Sequence, residues 1–203
     1  MRGKFICLDG TEGSGKSSQI QAICSFLQQH GKTVITTREP GGTQIGEAIR
    51  ELVLSPHYQP QALTELLLIL AARHEHLQTV ILPHLAAGTW VISDRFNDAT
   101  FAYQGYGRGI DLKIIKTLEQ IIQASFQPDL ACILCLPEHI AAERVHNRAH
   151  DHDRIELENR AFFARVAQGY RARAQLPHAR FIDASGDQNS VFQQIRHHLE
   201  LLL

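Results

Sequence analysis

Residues 10 to 17 read Gly10, Thr11, Glu12, Gly13, Ser14, Gly15, Lys16, Ser17, a G-x-x-x-x-G-K-S spacing. Glycines at these intervals let a loop turn successive backbone N–H groups toward one anion, while the lysine and hydroxyl that follow reach phosphate and Mg²⁺. The flanking residues suit such a loop. KFICLD (4–9) is a short apolar run that reads as a core strand, and KSSQIQAICSFLQQH puts Ile20, Ile23, Cys24 and Leu27 on one helical face. A helix beginning at Lys16 adds partial positive charge where the phosphates would sit. Strand, glycine loop and helix in this order specify a nucleoside triphosphate site without naming a reaction. Glu12 is the anomaly, a carboxylate among groups that gather to hold anions.

The chain has no N-K-x-D guanine-reading motif, which counts against a GTPase, and it is short for a motor domain. Its other concentration of chemistry is basic. Arg38 precedes EPGG, Arg73 lies within AARHEH, Arg95 follows ISD, and Arg108 sits in GYGRG. Three of these fall in loops at, or just after, the carboxyl ends of predicted strands, the edge at which doubly wound sheets bind ligands. Transfer between two polyanions needs such a ring of cations. The residues therefore predict a kinase whose acceptor already carries a phosphate.

These side chains have to be positioned by a scaffold, and the apolar pattern supplies one. After the first strand, TVITT (33–37), TWVISD (89–94), DLACILCL (129–136) and RFIDA (180–184) read as strands. Between them the pattern predicts helices over 45–54, 62–86, to be kinked or split by Pro83, and 111–124. VFQQIRHHLELLL closes the chain as a helix, and RFNDATFAYQGYGRG reads as irregular, glycine-punctuated chain. Alternating strands and helices predict an α/β fold, a parallel sheet with helices on both faces. At 203 residues, 44% hydrophobic and 20% charged, with a formal net charge of −1, the composition suits one globular domain over 1–203. No global field draws it to nucleic acid or anionic lipid. No apolar run approaches the ~20 residues of a membrane helix, and MRGKFICLDG does not read as a signal peptide, so the cytoplasm is expected. Cys132 and Cys135 form a C-x-x-C within a predicted strand, where positions i and i+3 face opposite ways. They are expected to be buried, reduced thiols.

TREPGGT (37–43), LAARHEH (70–76), SDRFNDATFAYQGYGRG (93–109), PDL (128–130) and DRIE (153–156) together resemble the motifs of the thymidylate kinases, in order and spacing, across nearly the whole chain. The resemblance implies the P-loop nucleoside-monophosphate kinase fold with a five-stranded parallel core. It also implies ATP-dependent conversion of dTMP to dTDP with Mg²⁺, and a homodimer. By matching position, residues Gly10 to Ser17 would bind ATP, Lys16 would stabilise the transferring phosphoryl group, and Ser17 with Asp94 would hold the metal. Arg38 and Arg95 would clamp the dTMP phosphate. Arg73, Thr100 and Gln104 would hydrogen-bond the thymine edge, and Tyr103 would exclude a 2′-hydroxyl. Glu12 would read the 3′-hydroxyl of the sugar, which answers the anomaly of the loop.

Gly13 stands where one version of the family carries an arginine, so the resemblance moves the catalytic arginine to a lid at about 144–156. Arg148 is expected to fill that role, with Arg154 structural. The chain departs from the family pattern in several places. His146 replaces a lid arginine, Ile69 stands where a phenylalanine stacks on thymine, Ala99 replaces a serine, and Cys135 replaces a strand aspartate. His146, His150 and His152 read as a solvated lid rather than a metal site. Two alternatives remain open: a kinase for another deoxynucleoside monophosphate such as dUMP, and a noncatalytic nucleotide-binding module.

Overall fold

The computed structural model describes residues 2–137, 140–141, 143–144 and 153–203. Five strands form one sheet: β1 (Phe5–Gly10), β2 (Val34–Arg38), β3 (Trp90–Asp94), β4 (Leu130–Cys135) and β5 (Ala179–Asp183). Their spatial order is β2-β3-β1-β4-β5, and every pairing is parallel. Each predicted strand lies within one residue of an observed one. The reason is that buried parallel strands are short continuous apolar runs, readable without knowledge of their partners.

The strands sort their side chains onto two apolar layers. Phe5, Cys7, Val91 and Ile133 pack into one, with Phe162, Val166 and Tyr170; Ile6, Leu8, Ile92 and Leu134 pack into the other, with Leu27 and Ile195. Cys132 and Cys135 fall in opposite layers, as strand alternation requires, and all four cysteines are free. Burial pushes the Cys132 thiol up to about 12 and the Cys135 thiol up to about 11, so both stay protonated.

Around the sheet lie α1 (Lys16–Gln29), α2 (Gln44–Leu54), α3 (Ala62–His76), α4 (Leu82–Ala86), α5 (Asn97–Thr100), α6 (Leu112–Gln123), α7 (Arg160–Arg173) and α8 (Gln188–Glu200). The predicted 62–86 helix is interrupted, but Pro83 is not where it yields. A wide π turn over Leu77–Ile81 precedes Pro83 and places it at the start of α4, where a missing N–H costs little. The closing helix begins earlier than predicted, because the Asp187 carboxylate accepts from the N–H groups of Asn189 and Ser190. Among the described residues, no helix is long and apolar enough to cross a membrane.

The largest departure is the segment predicted to be irregular. Residues 97–107 are helical, α5 running directly into a π turn over Phe101–Gly107, and they are almost wholly buried. Their glycines do not break the helix; they let it be approached. A Cβ on Gly107 would stand 2.7 Å from the Phe162 ring, and one on Gly105 2.5 Å from Leu112. From α7, a Cβ on Gly169 would lie 2.8 Å from the Ala102 Cα.

That last contact yields a prediction about stability. Gly169→Ala gains about 1 kcal/mol of helix propensity. It also forces α7 away from backbone, at an overpacking cost of about 1–3 kcal/mol. Urea denaturation is expected to show a net loss of up to about 2 kcal/mol. A stabilised variant would mean that α7 separates freely from this segment.

Candidate active site

At the carboxyl edge of the sheet, register brings Leu8 beside Asp94 and Asp94 beside Arg38, while β1 continues two residues into the glycine loop. Gly10 has φ 145°, and a Cβ there would meet the Leu134 carbonyl oxygen at 2.3 Å, so the first turn of the loop admits no side chain. Gly13 and Gly15 are left-handed, at φ 76° and 85°. Gly15 caps α1 without a side-chain hydrogen bond, and no acidic residue lies in the helix's first turn. The first N–H groups of α1 therefore remain available to an anion. Thr11 and Ser14 complete the loop, with the Ser14 N–H 3.4 Å from the Thr11 carbonyl.

Lys16 is folded back over this loop, its Nζ donating to the carbonyls of Gly10 (3.3 Å) and Thr11 (3.2 Å). Burial, then the Arg95 charge, hold its ammonium below the usual lysine range, partly offset by Glu12, Asp94 and Asp9. Ser17 is exposed at the cleft wall. The Asp94 Oδ1 is buried with no hydrogen-bond partner among the described residues. A hydroxyl and an unpaired carboxylate oxygen in one cleft suit Mg²⁺, which takes few protein ligands beside phosphates and waters. No cluster of three or more His, Cys, Asp or Glu able to hold a metal occurs among the described residues.

The loop opens into a cleft of about 350 Å³ lined by Glu12, Lys16, Ser17, Arg38, Ile69, Arg73, Asp94, Arg95, Thr100, Tyr103 and Gln104, among others. At its centre Arg95 has φ 72°, in the left-handed region that is unfavourable for a non-glycine residue. Its backbone is held there by its N–H donating to the Leu8 carbonyl and by the Ser93 hydroxyl donating to the Arg95 carbonyl. The guanidinium donates to the Gly10 carbonyl (2.9 Å), the Tyr170 hydroxyl (2.8 Å) and the Glu12 carboxylate. Glu12 also accepts from the Tyr103 hydroxyl at 3.2 Å, and burial pushes that phenol up, keeping it a donor. The carboxylate among the anion-binding groups is thus the counter-ion of Arg95.

Arg73, 1% exposed, donates to Glu39 (2.6 Å), Asn97 (3.2 Å) and the Phe96 carbonyl (3.0 Å). His76 sits behind Glu39, with Nδ1 3.0 Å from that carboxylate and Nε2 2.6 Å from the Thr37 hydroxyl. The Thr100 Oγ1 is buried and unpartnered among the described residues. Gln104 donates from Nε2 to Glu65 at 2.8 Å. Ile69 is 7% exposed and lines the same end, as does Ala99. Arg38 is more exposed and pairs with Glu47 at 2.8 Å.

One part of the expected cationic ring lies elsewhere, and the arginine expected to be structural is so placed. Arg108 is not in the cleft wall but pairs with Glu65 and Glu158, because the π turn carries it toward α3. Arg154 donates to the Val53 carbonyl (2.8 Å) and to Glu65, a structural anchorage. Arg148, His146, His150 and His152 lie outside the described residues. Three residues of the site went unread in the sequence. Arg50 lines the cleft and donates to the Pro40 carbonyl at 3.0 Å; its place one turn after Glu47 on a predicted helix was the available signal. Glu39 was visible only as part of REPGGT. Asp9 lies beneath the loop, and burial, then Asp98, push its carboxyl up to about 7. No signal marked it, since it reads as the end of a strand.

A family model for thymidylate kinases matches residues 8–195. The chain is 99% identical over 203 residues to a thymidylate kinase of Dichelobacter nodosus, with both proteins covered in full. It is 48% identical over 204 residues to a thymidylate kinase of Vesicomyosocius okutanii, covering 99% of each. The crystal structure of thymidylate kinase from Ehrlichia chaffeensis superposes with a TM-score of 0.77 at 31% identity, over 98% of this chain and 99% of that one. These likenesses span nearly the whole chain, and the chain belongs to the thymidylate kinase family.

Proposed function

We propose that this protein transfers the γ-phosphoryl group of ATP to dTMP, giving ADP and dTDP. The observation that carries this reading is the position of Arg95. One guanidinium bonds the Gly10 carbonyl of the phosphate loop and also the Tyr103 hydroxyl of the pocket beyond it. Donor and acceptor sites are thereby one continuous cleft, with a cation at their junction. An oxygen of the acceptor phosphate attacks the γ-phosphorus, and the bond to the ADP oxygen breaks. Such a reaction leaves the protein mainly the work of alignment and charge stabilisation.

On this reading the donor phosphates take the N–H groups at Gly10 to Ser17, and Lys16 exchanges its two carbonyl partners for phosphate oxygens. Arg95 and Arg38 hold the acceptor phosphate in bidentate contacts, with Arg50 beside them. Glu12 meets the 3′-hydroxyl, and Tyr103 closes the 2′ side of the sugar. Thr100 offers an unspent hydroxyl to the base, next to Arg73 and Gln104, while Ile69 covers one face of the ring. Ser17 and Asp94 would hold Mg²⁺, which neutralises charge on the phosphate oxygens when bound. Arg148 is proposed as the lid arginine that reaches the phosphoryl group in flight.

We place the enzyme in the cytoplasm, a setting that suits four free cysteines. A homodimer is supported by the apolar side chains left exposed on two helices that touch, Leu63 and Leu67 on α3 with Ile114 and Ile121 on α6. The chain is read as a single domain.

ADP release measured over a panel of nucleoside monophosphates tests the activity. Highest kcat/KM with dTMP is expected; preference for another acceptor, or no turnover, would overturn the reading. Lys16→Ala should cut kcat by roughly 10²–10³, the loss of about 3–4 kcal/mol of transition-state stabilisation, with little change in dTMP affinity. An unchanged kcat would remove the phosphate loop from the chemistry. If Glu12 also reads the sugar, wild type should discriminate against 3′-deoxy-dTMP. Glu12→Gln should then narrow that preference, since hydrogen bonds to charged groups contribute about 1.5–3 kcal/mol, more than neutral ones. Equal discrimination by the two proteins would confine Glu12 to pairing with Arg95.

A further inference from the structure

Behind the acceptor pocket lies a buried carboxylate that touches neither the phosphate loop nor the sugar end of the cleft. Glu65, on α3, is 1% exposed. One oxygen accepts from Gln104 Nε2 at 2.8 Å and from Arg108 Nε at 3.2 Å; the other faces Arg108 Nη2 at 3.2 Å and Arg154. Burial alone would raise its pKa, but the hydrogen bonds from Gln104, Arg154 and Arg108 outweigh it and hold the carboxyl below its ordinary range. Glu65 is therefore ionised, and an ionised carboxylate can only accept.

We infer that Glu65 sets the base selectivity of the acceptor pocket by fixing which end of the Gln104 amide faces the base. The inference rests on the reading that this pocket receives a pyrimidine nucleotide, and it adds a positioning residue to it. A glutamine amide presents either two donors or an acceptor, depending on a flip that costs little when nothing opposes it. Here a flip would set the amide oxygen against a buried carboxylate. Nε2 is thus committed to Glu65, and Oε1, without a partner among the described residues, is the end left for the cleft that Gln104 lines. An acceptor at that point suits the N3–H of thymine or uracil and opposes the unprotonated N3 of cytosine. Thr100, four residues earlier, does not supply this discrimination, because a hydroxyl rotates to donate or accept.

The test compares wild type and Glu65→Gln with dTMP, dUMP and dCMP, alongside thermal melts. Replacing the carboxylate by an amide gives Gln104 a neighbour that accepts either orientation. The dTMP:dCMP ratio of kcat/KM is expected to fall roughly 10- to 100-fold. The dTMP:dUMP ratio should stay within about twofold, since both bases carry N3–H and a mismatch at N3 is what the variant relieves. Arg73 retains part of the selectivity. A general loosening of the pocket would shift both ratios together and overturn the inference, as would an unchanged dTMP:dCMP ratio. Wild type that fails to use dTMP would instead overturn the proposed function.

A second measurement does not depend on the variant folding. In wild type, the Gln104 side-chain NH₂ protons, assigned by their loss in Gln104→Leu, should exchange slowly and remain protected when dTMP is saturating. Rapid exchange, or loss of protection on binding dTMP, would show that the amide is not committed to Glu65.

Discussion

A cleft built to receive two phosphate-bearing molecules must store positive charge in a poorly solvated place before either ligand arrives. An unpaired buried ion costs several kcal/mol, so every cation here needs a partner that a ligand can replace or tolerate. Arg95 has Glu12, Arg73 has Glu39 and Arg38 has Glu47, while outside the cleft wall Arg108 shares Glu65 with Arg154. Lys16 uses two loop carbonyls instead.

The pairs differ in depth, and depth divides their work. Arg38 and Glu47 are about half exposed, so their pairing is screened by solvent and weakly held. Arg73 and Glu39 are almost fully buried, and His76 and Thr37 extend that network behind them. Such a network fixes a guanidinium rather than releasing it. Arg95 stands between these extremes. Partly accessible and held in a left-handed backbone conformation, it joins the loop to the pocket.

Placement of these groups depends on close packing elsewhere. Gly169 lets α7 lie against the helical segment after β3, which carries Thr100, Tyr103 and Gln104. Through Tyr170, α7 also delivers a hydroxyl to Arg95. The turn-like residues of RFNDATFAYQGYGRG therefore serve helix contact. Glycine in a sequence signals both loops and close approach, and only the neighbour that fills the space distinguishes them.

Local chemistry sufficed for much of the protein. Five apolar runs marked five strands, glycine spacing marked the phosphate loop, and strand alternation separated Cys132 from Cys135, because each of these depends on periodicity along the chain alone. Motif resemblance brought Arg38, Arg73, Arg95, Thr100 and Gln104 forward as one site, and they do line one cleft. What no local pattern encodes is the pairing of charged and polar groups distant in sequence. Glu12 with Arg95, Glu39 with Arg73 and Glu65 with Gln104 lie 83, 34 and 39 residues apart. The direction in which Arg108 points and the burial of Asp9 are likewise set by what packs around them. Those are properties of the folded interior, where a partner's position decides whether a charge is a ligand, a counter-ion or an anchor.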